Sequence, residues 1–160
     1  MHGRPRFVAD AMLGSLAKWL RILGFDTLYF KSIDDNELIK IAKQEQRMLL
    51  TMDSGLVKRK KIDEYILITS SDLSEQLKEV LKSLPTASTS SCFFRCAECN
   101  GELASVGKEF VAEDVPEYVF LNFDSFFKCS NCGKVYWEGS HKRSISARLQ
   151  EILKEIKNNN

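Results

Sequence analysis

The chain is 160 residues long, room for one domain or for one domain with a small appendage. Its 44% hydrophobic, 10% aromatic and 28% charged residues exclude wholesale disorder, and three prolines and eight glycines exclude a collagen-like or linker-dominated architecture. The formal net charge of +1 announces no nucleic-acid partner, and no apolar run approaches the ~18 residues of a membrane span.

The start, Met1-His2-Gly3-Arg4-Pro5-Arg6, is basic but leads into no signal-peptide core, so a cytoplasmic protein with no membrane partner is expected. Arg6 to Ala9 reads as a short buried strand that stops at Asp10. Leu13, Leu16, Ala17, Leu20 and Leu23 then recur at helical spacing, with Gly24 as the capping glycine. Asp26–Phe30 is a second strand, and Asp34-Asp35 opens a helix with Leu38, Ile39 and Ala42 on one face. Arg47–Thr51 is a third strand, stopped by Asp53, and Tyr65–Thr69 a fourth. Ser71 or Asp72 caps a further helix through Leu84. Strands alternating with helices imply an α/β fold, a parallel sheet covered on both faces.

Residues 85–91 have linker chemistry, which divides the chain into an α/β domain (1–84), a linker (85–91), a cysteine-bearing module (92–141) and a C-terminal helix and tail (142–160). Charge follows the same division. Residues 1–84 hold 14 basic and 12 acidic side chains, residues 85–139 hold 4 and 8, and the last 21 hold 5 and 2. Strands are expected around Glu117–Phe123 and Val135–Trp137. An amphipathic helix is expected from Ser144 to Lys157, built on Ile145, Leu149, Ile152 and Ile156.

All five cysteines lie in the middle segment, and an odd count in a chain without export signals argues for metal binding over disulfides. Cys96-x-x-Cys99 and Cys129-x-x-Cys132 are each followed by glycine within two residues, which lets a tight turn present two thiolates and its amides to one ion. Together they make a tetrathiolate zinc site. Four thiolates leave no open position for water, so this zinc is structural, and it supplies much of the folding energy of so small a module. Cys92 could replace one ligand, but the CxxC pairing favours reading it as a small apolar neighbour of the site. His141 is either a polar contact to it or a surface histidine.

A second constellation consists of Asp10, Asp35 and Asp53. In an open α/β sheet the working crevice lies beyond the C-terminal strand ends, where these acids fall. Converging carboxylates call for a divalent cation, and hard oxygen ligands favour Mg²⁺ or Mn²⁺. Such a centre suits metal-assisted hydrolysis of a phosphodiester. The blander reading is that acids at these positions cap helices, which is preferred for Asp72. Glu37 is a supporting ligand or a favourable first-turn acid. Lys18 and Arg21 share a face of the first helix, and with the run Lys58-Arg59-Lys60-Lys61 they are candidates to hold a polyanion. The run is otherwise a solvated loop. In the tail, Lys142, Arg143 and Arg148 extend the same expectation.

The stretch from Phe7 through Asp10-Ala-Met-Leu-Gly14 and Lys18-Trp-Leu-Arg21 to Thr27 resembles the opening of the Mut7-C ribonuclease domain family. So do Asp35-Asn-Glu37-Leu, Leu49-Leu-Thr51-Met-Asp53 and Cys129-Ser-Asn-Cys132-Gly-Lys-Val-Tyr136-Trp137-Glu-Gly139-Ser-His141. The resemblance runs from Phe7 to about His141. It implies a PIN-like parallel sheet flanked by helices, then a zinc ribbon and the C-terminal helix. It also implies metal-dependent cleavage of RNA, with catalytic carboxylates at Asp10, Asp35 and Asp53 and with RNA or a ribonucleoprotein as partner. The fourth acid of many PIN-type nucleases has only Asp72 as its candidate here. The alternative is a non-catalytic RNA- or ribonucleoprotein-binding module whose acids are vestigial. A phosphoacceptor receiver domain fits less well: Asp10 lies between Ala9 and Ala11 rather than beside a second acid, and the cysteine module begins where a fifth strand and its lysine belong. The oligomeric state is not legible.

Overall fold

Phe7, Val8 and Ala9 are all fully buried, the continuous apolar run that a central strand of a two-sided parallel sheet requires. In the computed structural model, which describes residues 3–60, 62–85 and 95–159, they form β1 (Phe7–Ala9). This strand pairs in parallel with β2 (Thr27–Tyr29) and with β3 (Met48–Thr51), and β3 pairs in parallel with β4 (Tyr65–Leu67). The order is β2-β1-β3-β4, with Val8 opposite Leu28 on one side and Leu49 on the other.

Alternation along the strands divides the core between the two faces. Phe7, Ala9, Leu50, Ile66 and Ile68 face α1 (Gly14–Ile22) and α4 (Leu73–Lys82), which contribute Leu16, Leu20, Leu77 and Val80. Val8 and Leu49 face α2 (Asp35–Gln44) and α3 (Ser54–Lys60), which contribute Leu38, Ile39, Ala42 and Leu56. Gly24 ends the first helix segment in the left-handed region (φ 85°), returning its N–H to Arg21 O. Asp72 caps α4, accepting from Glu75 N.

The last helix, α6 (Ser140–Asn158), starts earlier than the apolar spacing suggested. It packs back on the α/β unit: Leu149 and Ile152 are buried in the same core as Phe7 and Leu77. The Arg148 guanidinium lies over the Trp19 ring, 5.5 Å from its centroid.

Between these elements, β5 (Leu103–Val106), β6 (Phe126–Cys129) and β7 (Val135–Trp137) form an antiparallel sheet over a small core of Val111, Val115, Val119, Phe126 and Val135. The strand expected over Glu117–Phe123 is instead a helix, α5 (Glu117–Asn122). Pro116 precedes it and its carbonyl accepts from Val119 N and Phe120 N, and Glu117 sits in the first turn, where an acid is favourable. Val115, Val119 and Phe123 all pack on this core, and their spacing of four is helical.

Candidate active site and thiolate metal centre

Asp10 leaves β1 in extended geometry, and its Oδ1 accepts from Ala11 N at 2.6 Å. Its other oxygen, Oδ2, accepts from the Thr51 hydroxyl at 2.9 Å. Thr51 ends β3 fully buried, and the same hydroxyl accepts from Asp53 N at 3.0 Å. Asp53 Oδ1 in turn accepts from Leu56 N at 3.0 Å, starting α3. That short helix carries Arg59, whose Nη2 lies 3.7 Å from Asp53 Oδ2 and 3.9 Å from Asp35 Oδ2. Asp35 opens α2, but the cap is Asp34, whose Oδ1 accepts from Glu37 N, so the Asp35 carboxylate is not spent on capping.

Asp10 and Asp53 are thus tied through Thr51, and Asp53 and Asp35 through Arg59. Among the described residues only the four cysteines bring their ligand atoms within 4.8 Å of one another. Asp10, Asp35 and Asp53 do not form such a group of three. Glu37 is exposed in the first turn of α2. Tyr29 reaches the same edge, donating its hydroxyl to Ala11 O at 2.9 Å. A Cβ on Gly14 would stand 2.9 Å from the Tyr29 ring, so this approach needs glycine there.

The basic residues divide differently from the sequence expectation. The run from Lys58 is helical through Lys60, not a loop, and Lys58 is exposed on it. Lys61 and Cys92 lie outside the described residues, as do the side chains of Lys60, His141 and Lys142. Arg143 is exposed on α6, whereas Arg148 donates to Ser74 Oγ at 2.8 Å as well as covering Trp19.

Lys18 and Arg21 both meet the cysteine module. Arg21 is only 5% exposed. It donates through Nε to Thr27 O at 2.8 Å and through Nη1 to Ala97 O and Glu98 O, both at 3.0 Å. Lys18 pairs with Glu98 at 3.3 Å. With Nε and Nη1 committed to backbone carbonyls of both units, the buried Arg21 is a clamp between them.

The four cysteines meet as the spacing predicts. Cys96 and Cys132 sulfurs stand 3.7 Å apart, and Cys99 and Cys129 sulfurs 3.4 Å apart. A tetrahedron of sulfurs about 2.3 Å from a zinc ion has edges of about 3.8 Å, so the donor set and its size fit zinc. Backbone amides fold onto the sulfurs, with Gly101 N 3.4 Å from Cys99 Sγ and Asn131 N 3.4 Å from Cys129 Sγ. A Cβ on Gly101 would lie 2.8 Å from Cys129 Sγ, which explains the glycine.

At Cys99 desolvation is outweighed by hydrogen bonds from Asn131, the Gly101 backbone and the neighbouring thiols, which bring the thiol down to about 6. At Cys132 a hydrogen bond from the Lys134 backbone favours the thiolate. Desolvation and the other three thiols overcome it and push the group up to about 12. Four thiols so placed do not all ionise unaided, and a cation resolves that conflict. Tyr136 places its hydroxyl 3.0 Å from Cys96 Sγ, and burial followed by that contact pushes its own ionisation upward.

Asn100, which no sequence signal singled out, joins this centre to the sheet. It takes a left-handed φ of 69° directly after Cys99. Its Oδ1 accepts from Thr27 N at 2.9 Å and its Nδ2 donates to Asp26 Oδ1 at 2.8 Å. Arg47 grips the same carboxylate with both amino groups, at 2.7 and 3.2 Å. Burial pushes the Asp26 carboxyl up, but hydrogen bonds from Arg47 and Asn100 and the charges of Arg47 and Arg95 outweigh it. The carboxyl is held below the ordinary carboxylate range.

Among families of known proteins, the one described as the Mut7-C RNAse domain matches residues 5–149, most of the chain and every acid and cysteine named above. No curated protein matches it. No helix among the described residues is long and apolar enough to cross a membrane.

Proposed function

From the premise that this chain belongs to the Mut7-C RNAse domain family, we propose that it is a metal-dependent endoribonuclease working at the rim of Asp10, Asp35 and Asp53. The observation that carries this reading is the linkage of the three acids across three strand ends: the Thr51 hydroxyl bonds both Asp10 Oδ2 and Asp53 N, and Arg59 Nη2 lies within 4 Å of both Asp53 and Asp35. Their oxygens are hard donors, suited to Mg²⁺ or Mn²⁺ with water and substrate completing the shell.

Bound there, such an ion supplies charge stabilisation at the scissile phosphate and a water of lowered pKa. The chain's own residues do the rest. Thr51 fixes the rotamer of Asp10, and the start of α3 fixes Asp53. Lys58 and Arg59 offer cations for the flanking phosphates. Cys96, Cys99, Cys129 and Cys132 hold a structural zinc, because a closed tetrathiolate leaves no site for substrate. Through Arg21 and Asn100 that module braces the edge of the sheet.

The test is a covalently closed circular RNA incubated with the protein. An endonuclease linearises it in Mn²⁺ and leaves it intact when the cation is chelated. A circle that survives in Mn²⁺ while linear RNA is trimmed from its ends contradicts the endonucleolytic reading.

A further inference from the structure

Arg59 faces two anions at once. Its Nη2 stands 3.7 Å from Asp53 Oδ2 and 3.9 Å from Asp35 Oδ2, longer than the ~2.7–2.9 Å of a charge-assisted hydrogen bond. The three side chains are 64%, 49% and 55% exposed. Arg47 shows what a committed ion pair looks like in this chain: buried, bidentate and 2.7 Å from Asp26. The Arg59 contact is the opposite kind, a loose and solvated pairing that contributes little stability. Its position is what matters, since one guanidinium lies between two carboxylates of the candidate metal site.

We propose that Arg59 is the resident counter-ion of the acid site, balancing Asp35 and Asp53 while no divalent cation is bound, and that it turns to a substrate phosphate when such a cation takes the two carboxylates. This rests on the acid-site reading above. A doubly charged ion between Asp35 and Asp53 repels the guanidinium and outcompetes it for the same oxygens, and a weak, exposed pair resists displacement little. The freed side chain stands on α3 at the edge of the site, and a planar guanidinium binds phosphate bidentately. RNA that engages Arg59 in turn releases the carboxylates. Cation and RNA therefore strengthen each other's binding by the same factor.

The experiment measures Mn²⁺ affinity without RNA, by calorimetry or by the spin-resonance signal of free Mn²⁺, for the wild type, Arg59→Gln, Lys58→Gln and Asp53→Asn. Arg59→Gln is expected to bind Mn²⁺ about three- to tenfold more tightly than the wild type, because a competing cation has gone. Lys58→Gln removes the same charge one residue away and is expected to change affinity by less. At saturating Mn²⁺, Arg59→Gln is expected to cleave RNA about tenfold less efficiently, its tighter metal notwithstanding.

If Asp53→Asn loses Mn²⁺ while Arg59→Gln binds it no more tightly than Lys58→Gln, the counter-ion role is overturned and the acid site stands. If Arg59→Gln binds Mn²⁺ more tightly and cleaves as well as the wild type, the turn to phosphate is overturned. If the wild type and Asp53→Asn bind Mn²⁺ equally, the acid-site reading fails and takes this inference with it.

Discussion

Thr27 N donates to Asn100 Oδ1 at 2.9 Å, so the first residue of the edge strand of the parallel sheet is bonded to the residue directly after Cys99 of the four-cysteine cluster. An edge strand presents backbone groups that must find partners when covered. Here the cover is the turn that carries Cys96 and Cys99, and Arg21 seals the same contact from the helix side.

Removing the Asn100 side chain strands the buried Thr27 N–H and takes one of two hydrogen bonds from Asp26 Oδ1, which keeps Arg47. Asn100→Gly keeps the left-handed backbone, so it isolates the lost contacts. Unfolding by heat or denaturant should show a loss of about 1–3 kcal/mol with zinc content unchanged. Unchanged stability would mean that the contact is replaced by water at no cost.

Zinc removal should act on the whole chain. Ala97 O and Glu98 O reach Arg21 only while the cysteine turn holds its shape, and burial already disfavours the charged Arg21. Chelation should therefore lower the melting temperature of the α/β unit as well as that of the module, in one coupled transition. Arg21→Met should uncouple the two. Melting of the α/β unit that ignores chelation would contradict this.

The close approach of Gly101 to the sulfurs gives a sharper mutation. Gly101→Ala puts a methyl group 2.8 Å from Cys129 Sγ. Zinc affinity, measured by competition with a chromogenic chelator, should fall about 10–100-fold, the range seen when the surroundings of a metal site are disturbed.

Acid should weaken the fold through Asp26. Its carboxyl is held below the ordinary value in the folded chain, so its contribution is fully present above the unfolded value of about 3.9 and is lost as pH falls through the folded one. Asp26→Asn should be less stable than the wild type at pH 7. The gap should narrow as pH drops below about 4, in denaturant titrations at a series of pH values. A gap independent of pH would show that Asp26 acts without its charge.

Much of this was readable from local pattern. The paired CxxC turns, the alternation of strands and helices and the acids after β1 and β3 are signals carried within a few residues. What escaped depends on partners far along the chain. Arg21 meets Ala97 and Glu98, and Thr27 meets Asn100, across more than seventy residues, so a cation on an apolar helix looked available for substrate. Tyr118, Val119, Phe120 and Phe123 carry strand propensity, yet Val119 and Phe123 pack with helical spacing on a core that exists only once the ribbon has folded. The helix carrying Arg59 starts from Asp53 as its cap, and the cluster of cations within it masked that start.

The acid rim is tested most directly by cleavage of total cellular RNA in Mn²⁺ by the wild type and by Asp10→Asn/Asp53→Asn. Asparagine keeps the helix-starting hydrogen bonds, so the fold should survive. The variant's rate should be at least about 100-fold lower, the several kcal/mol a metal supplies, while its RNA affinity measured without divalent cation should be equal or higher as negative charge is removed. Equal cleavage by both proteins would contradict this.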